Sequence, residues 1–276
     1  MKNKYLILFT LLQLAPFFGM GQTSVMSFNI RYDNLKDYEN WWGYRKSSVV
    51  ELFDHYSPEI IGIQEGLHHQ VKYIEEGLPD YGYIGAGRDD GETKGEYAAI
   101  FYRKEQLKLL SSKTYWLSET PEKVSIGWDA SMERIVTFGE FLDKKTNEKL
   151  FVFNCHFDHL GPKSREKSAD LILKIIREKN IENGKLIVMG DFNSLPESEP
   201  IKIFKSQLED AYEIGLNEPY GPSGTFNGFN LDRQIRKRID YILTKNIEVI
   251  QHTIIDDRRA NNLFISDHLP VMVKIK

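Results

Sequence analysis

Short apolar runs along this chain stop, one after another, at a carboxylate, an amide or a histidine. Val25-Met26-Ser27-Phe28 reaches Asn29, and Ile60-Ile61-Gly62-Ile63 reaches Gln64-Glu65. Phe151-Val152-Phe153 leads to His156 and Asp158-His159, and Leu186-Ile187-Val188-Met189-Gly190 leads to Asp191 and Asn193. Asp240 lies within Arg238–Leu243, and Asp267-His268 precedes Leu269-Pro270-Val271. Runs this short and this apolar read as buried strands over 24–30, 59–64, 97–102, 185–189, 239–243, 248–254 and 271–275. Residues 135–142 and 149–155 read as a hairpin turned by the polar segment 143–148. Helical spacing of apolar residues marks 40–56, 67–78 and 163–179, with Pro58 and Pro79 beyond the first two. Many strands with helices between and around them predict a mixed α/β or α+β domain.

The N-terminus reads as an export signal. Lys2 and Lys4 precede an apolar run over 5–18, and Gly19 and Gly21 suit cleavage before Gln22. The run is shorter than the roughly 20 residues of a spanning helix, and no Cys follows it. The expectation is therefore a signal peptide over 1–21, a periplasmic or extracellular location, and no stable membrane insertion after processing. Residues 22–276 carry no linker, low-complexity block or repeat and are expected to form one domain, with a monomer as the working form. Cys155 is the only cysteine, so no intrachain disulfide can form. It lies in an apolar run and reads as a small core residue.

Net charge is −4, and it becomes −6 without Lys2 and Lys4. Affinity for duplex nucleic acid comes largely from neutralised phosphates, so an acidic chain argues against a tight DNA binder. The one basic cluster is Arg233 with Arg236-Lys237-Arg238.

An aspartate after one strand is as readily a turn or a cap; the repetition of residue types is what carries weight. Hard divalent cations such as Mg²⁺ take carboxylate and amide oxygens. Hydrolysis of a phosphate ester needs an activated water, neutralised phosphoryl oxygens and help for the leaving group. Glu and Asp can hold the metal, Asp with Asn can orient water, and histidines held by carboxylates can donate to phosphate. Zinc fits less well, because there is no Cys pair and no His-x-x-x-His helix. Neither a Gly-x-Ser-x-Gly elbow nor a Gly-x-x-x-x-Gly-Lys loop is present.

In order, Ser27-Phe28-Asn29-Ile30, Ile63-Gln64-Glu65, Gly95-Glu96-Tyr97, Asn154-Cys155-His156-Phe157-Asp158-His159, Gly190-Asp191-Phe192-Asn193-Ser194, Arg238-Ile239-Asp240-Tyr241 and Ser266-Asp267-His268-Leu269-Pro270 resemble the endonuclease/exonuclease/phosphatase superfamily. The resemblance implies a four-layer sandwich of two packed, mostly antiparallel sheets flanked by helices. It implies Mg²⁺, with Mn²⁺ as a substitute, on Glu65, Asn29 and Asp267. Asp191 would activate water, with Asn193 holding phosphate. Asp240 would pair with His268, and Glu96 with His156. Arg134 matches a phosphate-contacting arginine, and Tyr97 lies beside the site. Asn40-Trp41-Trp42 with Arg45, Gly127-Trp128-Asp129-Ala130 and Gly224-Thr225-Phe226-Asn227-Gly228 look like an exported bacterial branch. One of Trp41 and Trp42 is expected in the core, and Trp128 and Phe226 are expected to wall the substrate pocket.

The substrate is then a phosphate ester on a nucleic acid or a small molecule. The first expectation is a phosphodiesterase, either a nuclease or an enzyme for small diesters. The alternative is a phosphomonoesterase acting on a sugar or lipid-derived phosphate. A binding module that has lost catalysis fits poorly with so complete a polar set.

Overall fold

A computed structural model describes residues 22–276; the expected export segment, 1–21, lies outside them. The strands are apolar throughout because both faces are covered. In β1 (Thr23–Asn29) and β2 (Ile60–Gln64), Val25 and Ile60 point into the space between two sheets. Their neighbours Met26, Phe28, Ile61 and Ile63 point outward onto α1 (Trp42–Tyr56) and α2 (His68–Gly77). The same division holds in β7 (Lys149–His156) and β8 (Lys185–Asp191). Val152, Ile187 and Met189 face the other sheet, whereas Phe153, Cys155 and Val188 face α3 (Pro162–Glu178) and α4 (Glu199–Lys205). Each fully buried side chain of this kind contributes about 1.5–3 kcal/mol. Cys155 is wholly buried, as expected of a core residue.

The layers are helix, sheet, sheet, helix. With β3 (Tyr81–Ile84), β4 (Ile100–Arg103), β11 (Val249–Ile254) and β12 (Val271–Ile275), the first sheet has the order β11-β12-β1-β2-β4-β3. With β5 (Leu107–Trp116), β6 (Ile135–Asp143), β9 (Glu209–Asp210) and β10 (Asp240–Lys245), the second has the order β5-β6-β7-β8-β10-β9. Only β1·β2 and β7·β8 are parallel, each pair joined through a helix, so the sheets are mostly antiparallel as expected. The expected strand over 97–102 begins later, at Ile100, and Tyr97 makes a single bridge to Gly66.

This topology brings the chemistry to one edge. Parallel strands β1 and β2 end there, as do β7 and β8, while antiparallel β10 and β12 begin there. Asn29 pairs in register with Gln64, and Asp191 with both His156 and Asp240. The sheets approach closely at Gly62, where a Cβ would stand 2.5 Å from Met189 Cε. Asn154 bridges them: its Nδ2 donates to the carbonyls of Ile63 (2.9 Å) and Ala99 (2.8 Å), and its Oδ1 accepts from Gln64 Nε2 at 2.6 Å. Gly190 has φ +142°, and a Cβ there would lie 1.9 Å from the Cys155 carbonyl, so only glycine can precede Asp191. Among the described residues no helix is long and apolar enough to cross a membrane.

Candidate active site

Asp191 is the centre of the cluster. Its Oδ2 accepts from Asn29 Nδ2 at 3.1 Å and faces His156 Nε2 at 3.5 Å and His268 Nε2 at 3.7 Å. Its Oδ1 accepts the Asn193 N–H at 2.9 Å. Asn193 takes φ +45°, which asparagine tolerates, and its Nδ2 donates to the Phe157 carbonyl at 3.1 Å. Burial and the nearby Asp240 charge raise the pKa of Asp191 above the usual carboxylate range.

The two expected carboxylate–histidine pairs differ. His268 Nδ1 lies 2.8 Å from Asp240 Oδ2. Burial opposes the charge of His268, yet Asp240, Asp191 and the hydrogen bond outweigh it and hold its pKa well above the ordinary value. On the other side, His156 Nδ1 is 3.6 Å from Glu96 Oε2, too far for a hydrogen bond. Arg88 Nη1 takes that oxygen instead, at 2.6 Å. Burial, then the Arg134 charge, pushes His156 down to about 3, so it stands neutral at pH 7. The expected Glu96–His156 dyad is therefore replaced by an Arg88–Glu96 pair beside a neutral His156.

Arg134 is buried rather than a surface residue. Its Nη1 lies 3.1 Å from the His156 ring nitrogens, its Nη2 3.0 Å from His159 Nδ1, and its Nε 3.4 Å from Asp158 Oδ2. Asp158 also accepts from Ser131, Leu160 and Gly161, which fixes this corner.

Glu65 follows β2 at φ +63°. Its Oε1 accepts from Asn29 Nδ2 at 3.0 Å and its Oε2 from the Tyr32 N–H at 3.1 Å. Asn29 thus turns its amide group to Glu65 and Asp191, and its Oδ1 accepts the Arg31 N–H at 3.0 Å. As placed, it orients carboxylates. Asp267 is buried, and burial raises it to about 6, with His268 opposing and Glu65 reinforcing the shift.

The segment before β10 pins the far side. Thr225 Oγ1 accepts the Ile239 and Asp240 N–H groups at 3.1 and 3.2 Å. Asn227 Nδ2 donates to the Ser266 carbonyl at 3.0 Å. Phe226 sits edge-on to His268 at 5.1 Å and lines the cleft, as expected. The cleft has a volume of about 700 Å³ and is also lined by His159, which follows β7 as the sequence pattern indicates, and by Arg31, Arg88, Met132 and Lys237, which no strand-end motif marks. Of the basic cluster, Arg238 is buried against Asp210 at 2.8 Å and only Lys237 reaches the cleft.

The profile of the Endonuclease/Exonuclease/phosphatase family matches residues 26–268. The chain belongs to the endonuclease/exonuclease/phosphatase family. A family protein from Bacteroides vulgatus is 37% identical, with a TM-score of 0.87 over 93% of this chain and 99% of that one. A Bacteroides thetaiotaomicron mannosyl-6-phosphatase is 36% identical, with a TM-score of 0.87 over 92% and 99%. An uncharacterised protein of Acanthamoeba polyphaga mimivirus is 32% identical over 84% of this chain and 91% of its own length. The chain is thus a hydrolase of this family with a candidate buried metal site.

The family site residues suit a hard cation. Ligand atoms of Glu65, His156 and Asp191 lie within 4.8 Å of one another, as do those of Asp191, Asp240 and His268. Asp240 Oδ1 is buried with no hydrogen-bond partner. Asp191 and Asp267 are both pushed toward protonation by burial. Buried oxygen donors crowded this way fit a divalent ion that would relieve them.

Of the expected substrate residues, Trp128 lies elsewhere, whereas Tyr97 lies beside the site, against Arg88, Glu96, Arg134 and His156, without lining the main cleft. Trp128 lines a separate depression beside Glu119, Lys167 and Lys202, because Gly127 packs on the Leu117 carbonyl and Trp128 itself takes φ +50°. Tyr97 is buried behind the cleft, its hydroxyl held between the Glu92 carbonyl at 2.8 Å and His68 Nδ1 at 2.9 Å. Trp42 is the core member of its tryptophan pair, and Trp41 Nε1 donates to Asp33.

Proposed function

We propose that this chain is a metal-dependent phosphomonoesterase acting on a small, sugar-like phosphate. What carries this reading is the likeness to the mannosyl-6-phosphatase, 36% identical over nearly the whole of both chains. A cleft of about 700 Å³ agrees with it, since small-ligand sites run to roughly 300–1,000 Å³. The phosphodiester reading, which the sequence placed first, moves to second place. The acidic net charge, with only Lys237 of the basic cluster reaching the cleft, argues against a tight grip on a long polyanion.

Glu65 and Asp267 would hold the cation, Mg²⁺ or in its stead Mn²⁺, with Asn29 setting the Glu65 carboxylate. When bound, the ion supplies charge to the phosphoryl oxygens. Asp191, with its raised pKa and its grip from Asn193 and Asn29, takes a proton from the attacking water. His268, charged through Asp240, donates to a phosphoryl oxygen. Arg134 adds charge behind neutral His156, and Phe226 walls the leaving-group side. Export through residues 1–21 and a monomeric state belong to the same proposal; N-terminal sequencing of the secreted protein and light scattering test them.

The deciding experiment is a rate panel with Mg²⁺: mannose 6-phosphate, nitrophenyl phosphate, bis-nitrophenyl phosphate and plasmid DNA. Monoesters are expected to turn over at least tenfold faster than diesters. Faster cleavage of bis-nitrophenyl phosphate or DNA overturns the proposal.

A further inference from the structure

Two neighbouring parallel strands each run into a strained residue at the site. Beyond β1, Arg31 has φ +60°, and beyond β2, Glu65 has φ +63°. A non-glycine residue in this region costs about 1–3 kcal/mol and persists only where its surroundings hold it. Arg31 is held at every polar group of its backbone. Its N–H donates to Asn29 Oδ1, and its carbonyl accepts from Gln70 Nε2 at 3.0 Å and Arg45 Nη2 at 3.3 Å. Its side chain is anchored as well. Nε and Nη2 form a fork on Asp37 at 2.9 and 3.1 Å, and the guanidinium lies over the Tyr32 ring at 4.5 Å.

That fork leaves Nη1. It lies 3.8 Å from Glu65 Oε2 and 3.8 Å from Asp267 Oδ2. Both distances are too long for a hydrogen bond, so Arg31 does not brace either oxygen directly. The Glu65 oxygens already have other donors, Asn29 and Tyr32. What Arg31 supplies to both carboxylates is charge, delivered from a fixed position.

We propose that Arg31 is the built-in second cation of this metal centre: it neutralises the outer side of Glu65 and Asp267, limits the centre to one divalent ion and weakens that ion's binding. The proposal rests on the reading of Glu65 and Asp267 as the metal-side carboxylates. It predicts an unusual sign. Removing a residue that organises ligands weakens metal binding, and removing a residue that only grips phosphate leaves it unchanged. Removing a competing cation tightens it.

The test is Mn²⁺ binding to the purified chain, followed by calorimetry and by electron paramagnetic resonance, with no substrate present. The wild type is expected to bind one Mn²⁺ per chain. Arg31→Gln is expected to lower the Mn²⁺ Kd by at least tenfold, about what one unit charge a few ångströms from a divalent ion contributes even at the dielectric of bulk water. Arg31→Lys, which keeps the charge, should stay within about twofold of the wild type. Unchanged or weaker binding in Arg31→Gln overturns the proposal while leaving the metal reading intact. Two ions in the wild type also overturn it, and that count does not depend on any variant folding. No Mn²⁺ binding at all in the wild type overturns the metal reading and this proposal together.

Discussion

His268 Nδ1 lies 2.8 Å from Asp240 Oδ2, with both side chains at most 4% exposed. The opposing histidine, His156, has no such partner, because Arg88 has taken Glu96. The two histidines should therefore respond differently to loss of their carboxylates. Asp240→Asn removes the largest of the charges that keep His268 protonated, leaving Asp191, and should lower kcat by about 10²–10³-fold, within the range of general acid–base contributions. His268→Ala should cost as much or more. Glu96→Gln should lower kcat less than tenfold. Steady-state kinetics on nitrophenyl phosphate, with circular dichroism to verify folding, separates the cases. Equal losses in Asp240→Asn and Glu96→Gln would restore the symmetric pair of dyads.

Asp191 is the point at which activity and stability oppose each other. Its carboxylate is buried beside Asp240, and its pKa is raised. Removing the charge relieves that crowding but removes the base. Asp191→Asn should therefore lower kcat by at least 10³-fold and leave Tm unchanged or a few degrees higher, since about 1 kcal/mol shifts a domain of this size by roughly 2–4 °C. A Tm that falls by several degrees would show that the carboxylate stabilises the fold, against the direction of its pKa.

Metal removal should be visible without substrate. A ligand at a hundredfold excess over its Kd adds about 2.7 kcal/mol to stability, or roughly 5–10 °C here. Dialysis against a chelator should abolish hydrolysis and lower Tm, and Mg²⁺ or Mn²⁺ should restore both. A chelated protein with unchanged activity would remove Glu65 and Asp267 from the metal role.

Much of the fold was legible because buried strands write themselves as apolar runs. Residues 25–30, 60–63 and 186–190 are covered on both faces, so no polar alternation obscures them. Strand β5 was missed for the opposite reason. Its sequence Leu-Lys-Leu-Leu-Ser-Ser-Lys-Thr-Tyr-Trp lies at a sheet edge and is largely exposed, so its pattern resembles a loop. The site residues were legible as types at strand ends, while their pairing was not. Nothing in Glu96 itself announces that Arg88, eight residues earlier, will take its carboxylate. Trp128 was misplaced for a backbone reason: a left-handed residue after a packed glycine turns the ring away from the cleft, and no side-chain pattern encodes that turn. Arg31 went unread because its importance lies in a distance to Asp267, which is far away in sequence.

Acid stability should carry the mark of His252, a residue outside the site. It is 1% exposed, stands edge-on to Tyr212 at 5.1 Å and has an unpartnered Nδ1. Burial, reinforced by the Arg238 charge, lowers it to about 3. The unfolded chain takes up this proton near pH 6.5, and the folded chain does not until about 3. Between those values the unfolded state binds more protons, so stability falls as pH falls, by up to about 1.4 kcal/mol per unit from this one group. Above pH 6.5 the contribution is constant. His252→Leu should therefore gain on the wild type as pH drops from 6.5 to 4.5, measured by urea midpoints. Parallel curves for the two proteins would show that His252 is protonated in the folded state.

Arg45 is the largest wholly buried side chain of the described residues, and no carboxylate lies within 4 Å of it. Burial lowers it, against the pull of Asp267, to about 10, so it is still charged at pH 7. Its guanidinium donates to the carbonyls of Ile30 (2.8 Å), Ile265 (2.9 Å), Arg31 (3.3 Å) and Asn40, between the rings of Trp42 and Phe229. Those carbonyls flank Asn29 and Asp267, so one side chain ties together the two strand ends that carry them. Arg45→Met fills much of the space but leaves the carbonyls without donors in a region closed to water. A buried carbonyl left without its donor costs about 1–3 kcal/mol, and the urea midpoint should fall accordingly. Because Asp267 then loses its fixed position, Mn²⁺ affinity should fall with stability, opposite to the tightening expected of Arg31→Gln. Arg45→Lys restores charge with a single nitrogen that cannot reach four carbonyls, and should recover less than half of the lost stability. If Arg45→Met lies within 1 kcal/mol of the wild type, the strand ends are held by their sheet pairing alone and the guanidinium is dispensable.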